Sequence, residues 1–153
     1  IWKDTFDKAT EAEIQAVYDS IQLPKRATAG SAGYDFYSPL SFELKPGETV
    51  KIPTGVRAEM DEGWVLKLYP RSGLGFKYRL QLNNTVGIID SDYFYSDNEG
   101  HIFVKITNDS NEGKTVCVEA GTGFAQGIFV EYGITVDDDV CEVRNGGFGS
   151  TTK

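Results

Sequence analysis

The sequence predicts an all-β fold, a sandwich, barrel or jelly roll with one amphipathic helix at its N-terminal end. Three observations carry this. Short runs rich in Val, Ile, Tyr and Phe recur from Tyr34 onward, turns containing glycine punctuate them, and only one stretch has helical spacing. A chain of 153 residues is the size of one ordinary domain, and no repeat, low-complexity tract or linker divides it, so 1–153 is expected to fold as a single domain.

The helix comes first. In residues 10–22, TEAEIQAVYDSIQ, Ile14, Val17, Tyr18 and Ile21 fall on one face. Thr10 and Glu13 form a capping box, and Leu23-Pro24 ends the helix because the residue before proline is pushed away from α geometry. The strand candidates follow in order: YDFYS, FEL, ETVKI, GVRAEM, WVLKLYP, TVGII, HIFVKI, TVCVEA and FAQGIFVEYGI. Pro46-Gly47, Glu62-Gly63, Glu112-Gly113 and Ala120-Gly121 supply turns between them.

Composition excludes several classes of function. Hydrophobic residues make up 40% of the chain and aromatics include nine Phe and eight Tyr, which favours a packed core over disorder. Fifteen Lys plus Arg against 23 Asp plus Glu give a formal charge of -8, so neither nucleic acid nor an anionic membrane has general electrostatic support as a stable partner. No apolar run reaches membrane-spanning length, and IWKDTFDKAT lacks the regions of a signal peptide, so a soluble cytoplasmic protein is expected. Cys117 and Cys141 lack the spacing of a zinc site. Within the alternating TVCVEA, Cys117 is expected to fill a small space in the core. His101, the single histidine, is expected to be solvated or hydrogen-bonded at a strand entrance, and Asp137-Asp138-Asp139 to form a solvated turn.

Candidate chemistry lies with the glycines. AGSAGYDFYS (29–38), PRSGLG (70–75), NNTVGIIDSDY (83–93), AGTGFAQG (120–127) and RNGGFGST (144–151) set glycine beside polar side chains. Glycine lets backbone amides approach a ligand closely, and an Arg-Ser-Gly turn offers a cation, a hydroxyl and N–H groups together, as a phosphate requires. Singly, each stretch is better read as an ordinary turn or tail. Asp90 ends an apolar run, where an isolated charge must be hydrated, paired or put to use.

Taken in order, with LPKRATAGSAGYD as the first, these stretches resemble the five motifs of the homotrimeric deoxyuridine triphosphatases (dUTPases), over residues 24–151. The resemblance implies a distorted β-barrel or jelly roll assembling as a homotrimer with shared active sites. It also implies Mg²⁺-assisted hydrolysis of dUTP to dUMP and pyrophosphate, which limits uracil incorporation into DNA and supplies dUMP for dTMP synthesis. In that reading Asp90 holds and deprotonates the water that attacks the α-phosphorus. Asp35 positions the water shell of Mg²⁺. Arg71, Ser72 and Gly73, with Gln126, bind the phosphate chain. Asn84 and the backbone of Gly87, Ile88 and Ile89 read the uracil edge, where cytosine would leave a buried group unsatisfied at about 1 to 3 kcal/mol per mismatch. Tyr93 packs against the sugar and excludes a 2′-hydroxyl. Phe148 lies over the base, and Arg144, Gly149, Ser150 and Thr151 cover the phosphates, making 144–153 a lid. Residues 1–23 become a helical extension outside the matched core, its apolar face packing on its own barrel or on a neighbouring subunit.

Three departures from the family pattern stand out. FYSDNE intervenes between Tyr93 and Gly100, lengthening the loop after the third motif; Asp97 and Glu99 are expected to keep it hydrated and Asp92 to be structural. The fourth motif, GTGFAQ, lacks the usual Asp and Arg, and Arg144 precedes Phe148 by four residues where five is usual. Two rival functions remain open at this level: a dCTP deaminase of similar layout, against which GIIDSDY argues, and a nucleotide-sensing regulatory trimer.

Overall fold

The computed structural model describes residues 8–147. Helix α1 spans Glu11–Ser20, and Thr10 caps it as predicted: its Oγ1 accepts from the Glu13 amide at 3.3 Å, while the Glu13 carboxylate accepts from the Thr10 amide at 2.8 Å. Ile14, Val17 and Ile21 are half-buried and Tyr18 is exposed, so the apolar stripe finds only partial cover in its own chain.

The strands are β1 (Lys25–Arg26), β2 (Tyr34–Tyr37), β3 (Phe42–Leu44), β4 (Thr49–Pro53), β5 (Trp64–Pro70), β6 (Leu80–Leu82), β7 (Gly87–Asp90), β8 (Phe103–Asn108), β9 (Val116–Val118) and β10 (Gly123–Glu131). All pair antiparallel: a five-stranded sheet in the order β1-β2-β10-β5-β7, a three-stranded sheet β4-β8-β6, and the pair β3-β9. The expected all-β architecture is therefore present. Alternation builds the core between the sheets. On β8, Val104, Ile106 and Asn108 point inward while Lys105 and Thr107 lie between them on the other face. Buried Asn108 is fully used: Nδ2 donates to Leu44 O at 2.8 Å and to Lys114 O at 2.9 Å, and Oδ1 accepts from Ser110 N at 3.0 Å, tying the β3 end to the loop after β8.

Three expectations need correction. GVRAEM is not a strand: Gly55 N donates to the His101 ring, Thr54 Oγ1 and Ile102 N take the Val56 backbone groups, and so the segment has no ladder to join. The second motif does not end in a simple turn, because Ser72–Tyr78 forms helix α2, stopped by Arg79 at φ +51, and LQL then forms β6. Cys117 is exposed. Val116 and Val118 face the core on the three-residue β9, so parity turns Cys117 outward, with Sγ 3.8 Å from Glu43 Oε2. His101 is buried and hydrogen-bonded, Nε2 accepting from Gly55 N at 3.0 Å, and burial lowers its pKa to about 4. Among the described residues no helix is long and apolar enough to cross a membrane.

Candidate active site

Two clefts gather the residues that the motifs single out. The first forms around the β6–β7 hairpin. Asn83 N donates to Lys105 O at 3.0 Å, Thr85 N to Leu82 O at 2.9 Å and Val86 N to Asn84 O at 2.7 Å, so the turn is tight. Thr85 sits at φ +68, a left-handed conformation that a β-branched residue adopts only when its surroundings impose it. Strand β7 then pairs with β5 from Gly87 opposite Leu68 to Asp90 opposite Val65, which anchors Asp90 at the end of a rigid strand. The chain turns at once into a 3₁₀ helix, Ser91–Tyr95, bringing Tyr93 back beside Asp90. Asn84, Gly87, Ile88, Ile89, Asp90, Tyr93, Arg144 and Gly147 all line one cavity of about 520 Å³.

Within it Tyr93 is buried. Its hydroxyl donates to His101 O at 2.7 Å and accepts from Asn98 Nδ2 at 2.8 Å, and burial pushes the phenol pKa up. Asp90 and Asp92, two residues apart, together attract Arg144: its Nη2 pairs with Asp90 and its Nε donates to Asp92 Oδ1 at 2.7 Å. Arg144, assigned by resemblance to the phosphates, thus sits on the carboxylates of its own chain. Asp92 helps hold it there. The backbone at Gly147 lies against the Tyr93 ring, so Arg144 and Gly147 of the C-terminal part both line this cleft. Phe148, Gly149, Ser150 and Thr151 lie outside the described residues.

The second cleft, about 380 Å³, is lined by Gly33, Asp35, Arg71, Ser72 and Gln126. Arg26 Nη1 donates to Ala29 O at 2.8 Å and Ser31 O at 3.1 Å, which shapes the loop entering β2. Asp35 lies on β2 opposite Gln126 of β10, and Arg71 follows β5, its Nε 3.3 Å from Asp35 Oδ1. Arg71 can lie so close to β10 because residue 123 is glycine: a Cβ there would stand 2.9 Å from Arg71 Nη1. Ser72 and Gly73 open α2, where helix geometry leaves the leading amides without intrahelical acceptors. Gln126 Nε2 donates to Pro70 O at 3.2 Å, so its amide is oriented by the same segment that carries Arg71. The cleft sets one cation, Arg71, paired with one carboxylate, Asp35, beside the hydroxyl of Ser72 and the amide of Gln126, so an anionic chain would meet Arg71 and these polar groups and leave Asp35 free for a cation.

The clefts are distinct within one chain. Asp35 faces Gln126, which faces Tyr69, whereas Asp90 faces Val65, so the two carboxylates stand three strands and four residues of β5 apart. At about 4.8 Å per strand and 3.4 Å per residue the separation is roughly 20 Å. That is too far for both to serve one phosphorus atom.

Among the described residues, no group of three or more His, Cys, Asp or Glu side chains could hold a metal ion. A single carboxylate such as Asp35 suits a hard cation held mainly by waters and by substrate oxygens, and does not suit one caged by protein. Motif reading missed Asn98, whose contact with Tyr93 depends on a loop with no periodic signal.

A family model described as dUTPase matches residues 19–152. The deoxyuridine 5'-triphosphate nucleotidohydrolase of Lactococcus lactis subsp. lactis (strain IL1403) is 43% identical over 134 residues, covering 86% of this chain and 88% of that protein. Among solved structures, the dUTPase from Streptococcus mutans superposes with a TM-score of 0.67 at 42% identity, covering 78% of this chain and 91% of that one. A mutant dUTPase from phage phi11 of S. aureus, described with a coordinated structural Mg(II) ion, gives a TM-score of 0.65 at 26% identity over 81% and 92% of the two chains.

Proposed function

This chain belongs to the dUTPase family, hydrolysing dUTP to dUMP and pyrophosphate, and from that premise we propose which of its residues carry the reaction and how they meet. Asp90 is the general base. Fixed at the end of β7 and 45% exposed at its side chain, it can hold a water by an acceptor oxygen and take its proton as the oxygen attacks the α-phosphorus. The rigid strand matters because a base must stay within hydrogen-bond reach of its water while bonds change. Asn84 and the backbone from Gly87 to Ile89 take the uracil edge, and Tyr93 takes the sugar face.

Arg71, Ser72, Gly73 and Gln126 hold the triphosphate and stabilise the charge that moves onto pyrophosphate. Asp35 would hold Mg²⁺ through coordinated waters, and the ion would supply positive charge against the phosphate oxygens. Phe148, Gly149, Ser150 and Thr151 continue the segment that lines the hairpin cleft and act as its lid, excluding water from the bound nucleotide. Arg144 already pairs with Asp90 and Asp92, and it exchanges those carboxylates for phosphate oxygens as the nucleotide enters.

The separation of roughly 20 Å between Asp35 and Asp90 supports a homotrimer in which one subunit's hairpin cleft meets another's phosphate cleft. The exposed apolar residues that such an assembly would cover are present: Val130, Tyr132, Ile134 and Val136 at and beyond the end of β10, and Phe76, 93% exposed, beside the phosphate cleft. The relatives are dUTP nucleotidohydrolases, so the deaminase alternative has no support.

The observation that carries the mechanism is the convergence of Asp90, Tyr93 and Asn84 on one cavity. Asp90→Asn keeps the shape and removes the base. Pyrophosphate release should fall on the order of a thousandfold, while a nonhydrolysable dUTP analogue still binds within a fewfold of the parent. Activity equal to the parent's would remove Asp90 from the mechanism.

A further inference from the structure

The insertion between Tyr93 and Gly100 has no part in the chemistry above, yet its side chains are wired to the Tyr93 ring. We propose that residues 94–99 brace Tyr93, with Asn98 as a positioning residue that sets discrimination between deoxyribose and ribose. This rests on the reading of Tyr93 as the residue packed against the sugar.

The wiring closes on the phenol. Asn98 Nδ2 donates to the Tyr93 hydroxyl at 2.8 Å, and that hydroxyl donates to His101 O at 2.7 Å, so the far end of the ring is held from two sides. Asn98 is itself fixed: Oδ1 accepts from Gly100 N at 3.2 Å and lies 2.7 Å from Ser96 Oγ, which also lies 2.7 Å from Tyr93 O. The backbone locks the loop through Ser96 N to Tyr93 O at 3.1 Å, Glu99 N to Ser96 O at 2.7 Å and His101 N to Asn98 O at 3.2 Å. From outside, Arg57 Nη2 donates to Phe94 O at 2.7 Å while its guanidinium lies 3.5 Å above the Phe94 ring.

Such a brace answers a particular difficulty. An apolar contact rejects an extra hydroxyl on its ligand only weakly, because a small shift of the side chain makes room for it. A ring pinned at both the Cα and the hydroxyl end cannot make that shift. With Asn98 removed, the phenol keeps one partner, swings, and admits the 2′-hydroxyl of UTP.

Steady-state kinetics with dUTP and UTP test this in Asn98→Ala, Tyr93→Phe, the double variant and Tyr93→Leu. In Asn98→Ala the ratio of kcat/KM for dUTP over UTP should fall roughly tenfold, the worth of one hydrogen bond, with kcat for dUTP nearly unchanged. The double variant should be no less selective than Tyr93→Phe, since removing the phenol hydroxyl already breaks the bond that Asn98→Ala breaks. A folded Asn98→Ala with the parent's ratio, or effects that add in the double variant, overturns the brace. Should Asn98→Ala not fold, Ser96→Ala, which frees Asn98 less completely, must still lower the ratio; an unchanged ratio there also overturns it. Selectivity that falls in Tyr93→Leu but holds in Asn98→Ala defeats only the brace. Selectivity that holds in Tyr93→Leu defeats the sugar reading, and the brace with it.

Discussion

Gly100 and Cys117 show how differently two single positions are constrained. At Gly100 the loop turns back at φ +74, and a Cβ would stand 2.6 Å from Phe94 Cα and 3.0 Å from Tyr93 O. Those neighbours are backbone and cannot yield as a flexible side chain would. Gly100→Ala should therefore lower stability by about 2 kcal/mol, from the unfavourable backbone conformation together with the contact. Cys117 lies outward on β9 near Glu43, and Cys117→Ser should stay within about 0.5 kcal/mol of the parent. Denaturant titration of both variants checks the pair. A harmless Gly100→Ala would mean the loop can reopen easily, and a costly Cys117→Ser would put that thiol back in the core.

Among the elements, the strand regions were largely legible because alternation is their own requirement: HIFVKI must send every second side chain inward, and β8 does so with Val104 and Ile106. Helix α1 was legible through its cap. Helix α2 was not, since SGLGFKY carries two glycines and poor intrinsic helix propensity; its form depends on tertiary setting, with Arg79 N donating to Gly75 O at its end. Motif residues at the site were legible as types and in their order. Their division between two clefts was not, because register across four strands leaves no trace in local spacing. The connection from β4 to β8 through His101 was equally hidden, and it carries a pH prediction. His101 accepts from Gly55 N, and burial above all, with Lys51 among the nearby positive charges, lowers its folded pKa to about 4 from the ordinary 6.5. The folded state thus favours the neutral ring, so its contribution to stability is complete above pH 6.5 and is lost as pH falls from there toward 4. His101→Gln can keep an acceptor for Gly55 without titrating. Its melting temperature should fall less steeply than the parent's across that window, and parallel curves would show that His101 does not govern acid lability.

For the whole molecule, the question is which chain supplies which half of a site. Asp90 and its hairpin lie at one end of the five-stranded sheet's order, on β7, while Asp35 lies near the other, on β2. A substrate spanning both roles must bridge two chains or leave one role unfilled. Two inactive variants distinguish the cases: Asp90→Asn, which spoils the hairpin half, and Arg71→Ala, which spoils the phosphate half. In the proposed trimer, either variant alone leaves no intact site under any arrangement. In mixed trimers, a site built across subunits can draw its hairpin from an Arg71→Ala chain and its phosphate cleft from an Asp90→Asn chain. Random one-to-one mixing makes about a quarter of the sites whole. Co-refolding the two proteins and measuring pyrophosphate release should therefore restore roughly a quarter of the parent's rate. If each chain completes its own site, every site stays broken and mixing restores nothing. Carrying a different affinity tag on each variant separates that outcome from a failure to mix, because only mixed assemblies are retained through both tags in succession.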